Sequence, residues 1–280
     1  MRNPEVPESL DGWHILHRMF RFDRLRFDGL SSKRRKEVAR VSRELLEPWA
    51  AAADEDVGLA QMLGHKADLM LTHYAKDFDR FGVVQAEFDK SPLAEFLTPT
   101  TSYVSILELG LYGDTAKFHE TLRARELKPH SQEWSDAFDA LLAEAARSPH
   151  AAPRLWAKIP HRRYVCFYPM NKKRGETVNW YKLPYAERAK LMLEHGKIGR
   201  TFHGLVTQVI SGSIGFDDYE WGVDLYADDP IVFKKLVYEM RFDEASAAYG
   251  EFGPFYTGMQ FSLPELPTFL EGKESPRLRT

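Results

Sequence analysis

The residues best suited to chemistry lie between positions 162 and 208. In RRYVCFYPMNKKR, Tyr164, Cys166, Tyr168, Met170 and Lys172 alternate, so in a strand they share one face. A phenol beside an ammonium can hydrogen-bond and pair with an anionic ligand. With an ordinary pKa of about 10 the phenol is neutral at rest, and it can also lose an electron and a proton together. The ordinary reading of such a face is a core edge running out to solvent.

The second candidate is His195. Arg188, Leu191, Met192 and His195 recur at helical spacing, which places the histidine near the inward stripe of an amphipathic helix, with Gly196 as its stop. An imidazole there can cap the last carbonyls, favoured by the helix dipole. No second histidine or acidic residue completes a zinc spacing, but a single imidazole is enough to hold a haem iron. Gln208, mid-strand in GLVTQVISG, shares a face with Val206, and a buried amide there needs a hydrogen-bond partner. Surface ion pairing is the ordinary reading of an arginine. Guanidinium groups bind carboxylates bidentately.

These side chains need a scaffold, and the chain has the composition of a folded protein. Of its 280 residues 44% are hydrophobic and 28% charged, and the formal charge of −3 gives no global case for nucleic acid or an anionic membrane. Cys166 is the only cysteine, which excludes an intramolecular disulfide and a cysteine-rich metal site. It reads as a buried, inert thiol, and a reducing cytoplasm is the natural expectation. The Pro-containing leader lacks an apolar signal region, and no run approaches a membrane span. His14 and His17 are three apart, so on a strand they face opposite sides. SSKRRKE reads as a helix start with a solvated face, FRFDRLRF as a strand end, and GSIGFDDYEWG lacks the glycine spacing of a phosphate loop.

The order of elements is β-α-β-β-α-β, twice. A strand over 12–23, a helix from Ser31 or Ser32 to about Ala53, strands over 58–63 and 67–74, a helix capped by Asp77 to about Lys90, and a strand over 101–109 form the first set. The second has a strand over 164–172, a helix from Pro184 to His195, strands over 204–213 and 220–227, a helix from Asp228 or Asp229 to about Tyr249, and a strand over 251–261. Two polar helices near 114–126 and 131–147 connect them. This is an α+β arrangement of duplicated ferredoxin-like units. It divides into an N-terminal half (10–110), a helical connector (111–161), a C-terminal half (162–262) and a tail (263–280) read as an arm. Helices would cover one face of each antiparallel sheet, and aromatic residues on the other face would line a ligand pocket.

YPMNKK, NWY, LMLEHGKIGR, GSIGFDDYEWGV and KKLVYEMRFDEAS resemble the coproheme decarboxylases of the chlorite dismutase-like family. The resemblance is strongest from Tyr164 to about Phe255 and weakest over 111–152. It implies a dimeric α+β barrel with the porphyrin site in the C-terminal half. The implied substrate, iron-coproporphyrin III (coproheme), is also the redox centre, and hydrogen peroxide drives conversion of two propionates to vinyls, giving haem b. LMLEHGKIGR carries the axial-ligand role to His195, and YPMNK carries the radical-forming role to Tyr168, with Lys172 at the propionates. Met170, Arg154, Arg200, Arg241 and Ser246 match positions in and around the pocket. Chlorite dismutases resemble this chain at Gln208 but carry an arginine there, so the neutral amide fits the peroxide-using branch. The family further implies a cytoplasmic homopentamer, with coproporphyrin ferrochelatase as substrate donor. Chlorite dismutase, haem peroxidase and non-catalytic haem carrier or sensor remain open as alternatives.

Overall fold

The computed structural model describes residues 6–149 and 151–279. The start of the leader and His150 of the connector lie outside the described residues. The first half runs β1 (Ser9–Phe22), α1 (Arg24–Asp28), α2 (Ser32–Ala51), β2 (Glu55–Met62), β3 (Leu69–Ala75), α3 (Phe78–Asp89) and β4 (Leu97–Gly110). Ser31 and Asp77 cap α2 and α3, their side chains accepting from the Arg34 and Arg80 N–H groups as the sequence suggests. The connector contributes α4 (Tyr112–Ala124), α5 (Gln132–Ala146) and α6 (Ala152–Leu155). The second half runs β5 (Tyr164–Lys172), α7 (Tyr185–Thr201), β6 (Val206–Gly212), β7 (Trp221–Ala227), α8 (Ile231–Met240), α9 (Glu244–Ala247), β8 (Gly250–Phe252) and β9 (Tyr256–Phe261), before α10 (Leu266–Glu271).

Strand order is β4-β1-β3-β2 in one half and β9-β5-β7-β6 in the other, the same ferredoxin-like order used twice. All pairings between named strands are antiparallel. β2 pairs with β9 and β4 with β6, so the two sheets close edge to edge into one barrel, and β8 hangs on β5. Closure removes the free edges that each half-sheet would otherwise present.

Every strand then has an inner and an outer face. Inside, Met19, Met70, Tyr103, Val165, Phe167 and Tyr226 pack together. Outside the first half, Phe20, Phe22, Trp49, Phe81 and Phe88 fill the space between sheet and helices. Outside the second half, Cys166, Tyr168, Val223 and Leu225 meet Phe202, Phe233 and Met240. The side chains expected at the site therefore lie on the helix side of the sheet. The opposite faces, where a ligand pocket was expected, pack against one another as the barrel interior.

Four features differ most from the sequence reading. The helix α7 runs through Gly196 to Thr201, so His195 is interior to it; a glycine weakens a helix by only about 1 kcal/mol, which flanking turns absorb. The helix expected to reach Tyr249 breaks after Met240, and Asp243 caps a new short one. The last strand is interrupted between Phe252 and Tyr256, where Pro254 has no N–H to give a ladder. The tail is no arm: Leu266, Phe269 and Leu270 of α10 are buried in the first-half core.

Candidate functional site

Antiparallel register sets the strand wall of the site. Tyr168 lies opposite Val223 and Ile210 in one row, and Cys166 opposite Leu225 and Gln208 in the next. Tyr168 and Gln208 therefore project from the same outer face, toward α7 and α8. The Gln208 amide nitrogen leans on α7 where the helix has no side chain: a Cβ on Gly199 would sit 3.4 Å from it. Tyr168 is buried, with Phe255 stacked on its ring at 4.5 Å between centroids and Phe252 tilted at 5.7 Å. Burial, chiefly, raises the Tyr168 pKa well above its ordinary value, a neighbouring Cys166 adds to this, and Arg241 opposes it. The phenol is protonated throughout the working pH range.

Arg241, at the end of α8, lays its guanidinium 4.2 Å above the Phe252 ring, which in turn leans on the phenol at a tilt. Lys172 is buried four residues along from Tyr168. Its Nζ donates to the Ala245 carbonyl at 2.9 Å and lies 4.5 Å from the Trp180 ring centroid. Desolvation lowers its pKa to about 8, against the pull of Asp243 and Glu220. Glu220 also accepts from the Lys172 backbone N–H at 2.9 Å.

His195 is held from one side. Its Nδ1 lies 3.1 Å from Asp243 Oδ2 and 3.3 Å from Ser246 Oγ, while the Ser246 N–H donates to Asp243 Oδ1 at 3.0 Å. A carboxylate only accepts, so in the neutral tautomer this contact selects, Nδ1 carries the proton and Nε2 the lone pair. No partner for Nε2 occurs among the described residues, and the side chain is 27% exposed. An imidazole oriented through Nδ1–H to a carboxylate, with Nε2 open, is the arrangement of a metal-ligating histidine.

The helix itself leaves room. Arg188 is the single buried residue of α7, whereas α2 in the equivalent place buries Val38, Ala39, Ser42, Leu46 and Trp49. Leu191, Met192 and Ile198 remain only half-buried. Half-buried apolar side chains on α7, an open imidazole nitrogen, and the nearby Lys172 and Arg241 cations are the groups that a flat ligand with a metal centre and carboxylate edges would require.

The structure thus brings Tyr168, Lys172, His195, Gln208, Arg241 and Ser246 into one region. Met170 is at its margin, opposite Trp221 and Phe252, and the Arg200 guanidinium reaches back over Gly196 on α7. Arg154 is exposed on α6, which packs on β1 and β4. Sequence reading missed Asp243, Trp180, Phe252 and Phe255. Only Asp243 left a signal, as an N-cap residue ahead of Glu-Ala-Ser. The others matter through long-range contacts.

Residues 34–261 match the chlorite dismutase family. A coproheme decarboxylase of Staphylococcus saprophyticus is 42% identical over 258 residues, covering 91% of this chain and 94% of that protein. Another, of Staphylococcus carnosus, is 40% identical over 268 residues, or 95% of this chain and 98% of that protein. The solved structure of a heme-binding protein from Thermus thermophilus superposes with a TM-score of 0.82 at 39% identity, covering 97% of this chain and 100% of that one.

Proposed function

Because the chain belongs to the chlorite dismutase family, we propose that it is a coproheme decarboxylase, the activity for which its staphylococcal relatives are named. The observation carrying this reading is an open imidazole nitrogen on α7 and a buried phenol on β5, on elements that pack together in the second half. The substrate is iron-coproporphyrin III, the oxidant hydrogen peroxide, and the products haem b and two molecules of carbon dioxide. When bound, this substrate supplies its own redox-active iron and the propionates to be converted.

His195 Nε2 holds the iron, and Asp243 fixes the imidazole through Nδ1–H. Gln208 offers a neutral amide where peroxide approaches. Tyr168 loses an electron and its Oη proton together. Its phenoxyl oxygen then takes a hydrogen atom from the propionate carbon next to the ring. The bond to the carboxylate carbon breaks, leaving a vinyl group and releasing carbon dioxide and one electron; this electron and the one lost by Tyr168, with the tyrosine proton and one from solvent, reduce one peroxide to two waters. Lys172, Arg241 and Arg200 pair with carboxylates and keep the reacting carbon in register, where an ångström of misplacement costs about a hundredfold. Ser246 helps hold the imidazole, and Met170 lines the margin. Arg154, exposed on α6, is proposed as a further carboxylate partner.

The reading extends to a cytoplasmic homopentamer supplied by coproporphyrin ferrochelatase. A single buried thiol suits a reducing compartment, and the exposed Phe78–Phe216 pair offers apolar surface for assembly. Among the described residues, no helix is long and apolar enough to cross a membrane.

The test is to add iron-coproporphyrin III to the purified protein, titrate hydrogen peroxide, and follow porphyrin mass. Stepwise loss of two carboxyl groups, abolished in Tyr168→Phe, is expected. Bleaching or unchanged porphyrin would move the assignment to a peroxidase or a carrier, and oxygen release from chlorite would move it to a chlorite dismutase.

A further inference from the structure

The barrel interior holds a histidine–aspartate pair directly behind the strand wall of the site. His17 on β1 and Asp224 on β7 are both fully buried, and the imidazole Nε2 donates to the carboxylate, 3.0 Å from Oδ1 and 3.1 Å from Oδ2. β1 belongs to the first half and β7 to the second, so the contact crosses the barrel. The same imidazole stacks on Phe167 of β5, with ring centroids 4.2 Å apart.

Register places this contact between the functional rows. Asp224 pairs with Phe167 on β5 and with Val209 on β6, forming one inward row across three strands. The outward row on one side of it is Tyr168, Val223 and Ile210, and on the other side Cys166, Leu225 and Gln208. One imidazole therefore grips two of the three residues in the row that separates Tyr168 from Gln208. Tyr103, opposite His17 on β4, adds a second contact to the Phe167 ring at 5.3 Å, and its hydroxyl donates to the Tyr219 carbonyl at 3.0 Å.

Apolar packing alone does not specify this arrangement. Met19, Met70 and Val165 fill the same compartment, and such contacts are non-directional. A slip of one residue in β5 would turn Tyr168 into the barrel and take the phenol out of the site. A buried ion pair adds little net stability, because desolvation offsets the attraction, and its best-attested use is to fix one register among several. Here the directional bonds lie where register decides which side chains reach the site.

We propose that His17 and Asp224 are positioning residues: the pair, contributed in part by the first half, holds the β5–β7–β6 wall in the register that presents Tyr168 and Gln208 to one ligand. The effect on turnover rests on the decarboxylase reading; the effect on the wall does not.

The test compares Asp224→Asn, which keeps an acceptor for Nε2, with the double variant His17→Leu, Asp224→Leu. The double variant replaces the pair by apolar volume and leaves no lone buried charge. Peroxide-driven decarboxylation, coproheme binding and the visible absorption of the bound porphyrin are measured on each intact protein. The double variant should bind coproheme with His195 ligation unchanged, because α7 carries that residue, yet lose about tenfold or more in kcat. Asp224→Asn should keep most of its turnover. An undiminished kcat in the double variant overturns the proposal, as does a loss of turnover matched by loss of porphyrin binding, the mark of a purely structural pair. Amide hydrogen exchange in the protein without ligand separates this from the activity reading. Residues 164–172 and 206–212 should exchange faster in the double variant than in the unmodified protein, and equal rates sink the proposal whatever reaction the protein performs. Should the double variant not fold, Phe167→Leu removes the stacked ring and leaves the pair. The same loss of kcat at unchanged porphyrin binding is then expected, and an unchanged kcat overturns the inference.

Discussion

Lys172 combines burial, a carbonyl acceptor and an indole face, and its protonation is the most accessible property of the site to test. Its folded pKa of about 8 lies below the ordinary 10.5, so between those values the unfolded chain binds more protons. Stability must therefore rise with pH across that window, and the penalty, about 3 kcal/mol, is fully present below it. Urea unfolding at pH 7.5 and pH 10 should show the rise in the native protein and its loss in Lys172→Met. Carboxylate binding demands the charged form, so coproheme affinity should weaken as pH rises above about 8, and a fluorescence-quenching titration will show it. Lys172→Arg should keep affinity at high pH if its guanidinium reaches the same place. For Tyr168→Phe, the expected outcome is loss of decarboxylation by at least about a hundredfold with porphyrin binding retained. The ring keeps its stacking on Phe255, so thermal unfolding should barely move. Asp243→Ala removes both the cap of α9 and the orienting partner of His195. It should cost about 1 kcal/mol of stability and weaken iron ligation by roughly 10–100-fold, read from the visible absorption of the bound porphyrin.

At the scale of elements, the site is built where regular structure stops short of its expected end. The break between α8 and α9 places Asp243 and Ser246 beside His195. The interruption before β9 lays Phe255 on Tyr168. Neither was legible, because a broken and a continuous helix have nearly the same hydrophobic period, and only packing against α7 selects the break. By contrast β5 lies where the alternation puts it, Tyr164–Lys172, since a half-buried strand carries its period in every residue. α7 was legible in kind but not in length. Gly199 is its most telling position: a larger side chain there meets Gln208 and Met240. Gly199→Ala should be tolerated and gain about 0.5–1 kcal/mol from helix propensity. Gly199→Leu should displace the Gln208 amide, seen as reduced peroxide-driven turnover with iron ligation by His195 preserved.

At the scale of the whole molecule, the two halves of the duplicated chain differ in what lies under their helices. Both halves have the same strand order, but the first fills the space under its helices with Trp49, Phe81, Phe88 and the returning α10, while the second leaves α7 poorly buried. Closure of the barrel rests on seams with little tolerance. A Cβ on Gly258, on β9, would stand 2.7 Å from both the Gln61 carbonyl oxygen and Met62 Sδ on β2. The carbonyl belongs to backbone and cannot move aside. Gly258→Val should cost at least about 2 kcal/mol, read from the denaturant midpoint, although the residue touches nothing in the site.

By itself the sequence determined the local and the periodic: two β-α-β-β-α-β sets, their caps, the face shared by Tyr168 and Lys172, and a histidine on an amphipathic helix. Motif resemblance extended this to the family, because YPMNKK and LMLEHGKIGR are contiguous stretches. Tertiary structure alone decided which sheet face carries Tyr168, that Asp243 orients His195, and that His17 meets Asp224 inside the barrel. The physical reason is common to all three. A strand's alternation says that two faces differ but not which one the helices cover. Contacts between residues far apart in the chain, such as the 207 separating His17 from Asp224, arise only when the sheets close edge to edge.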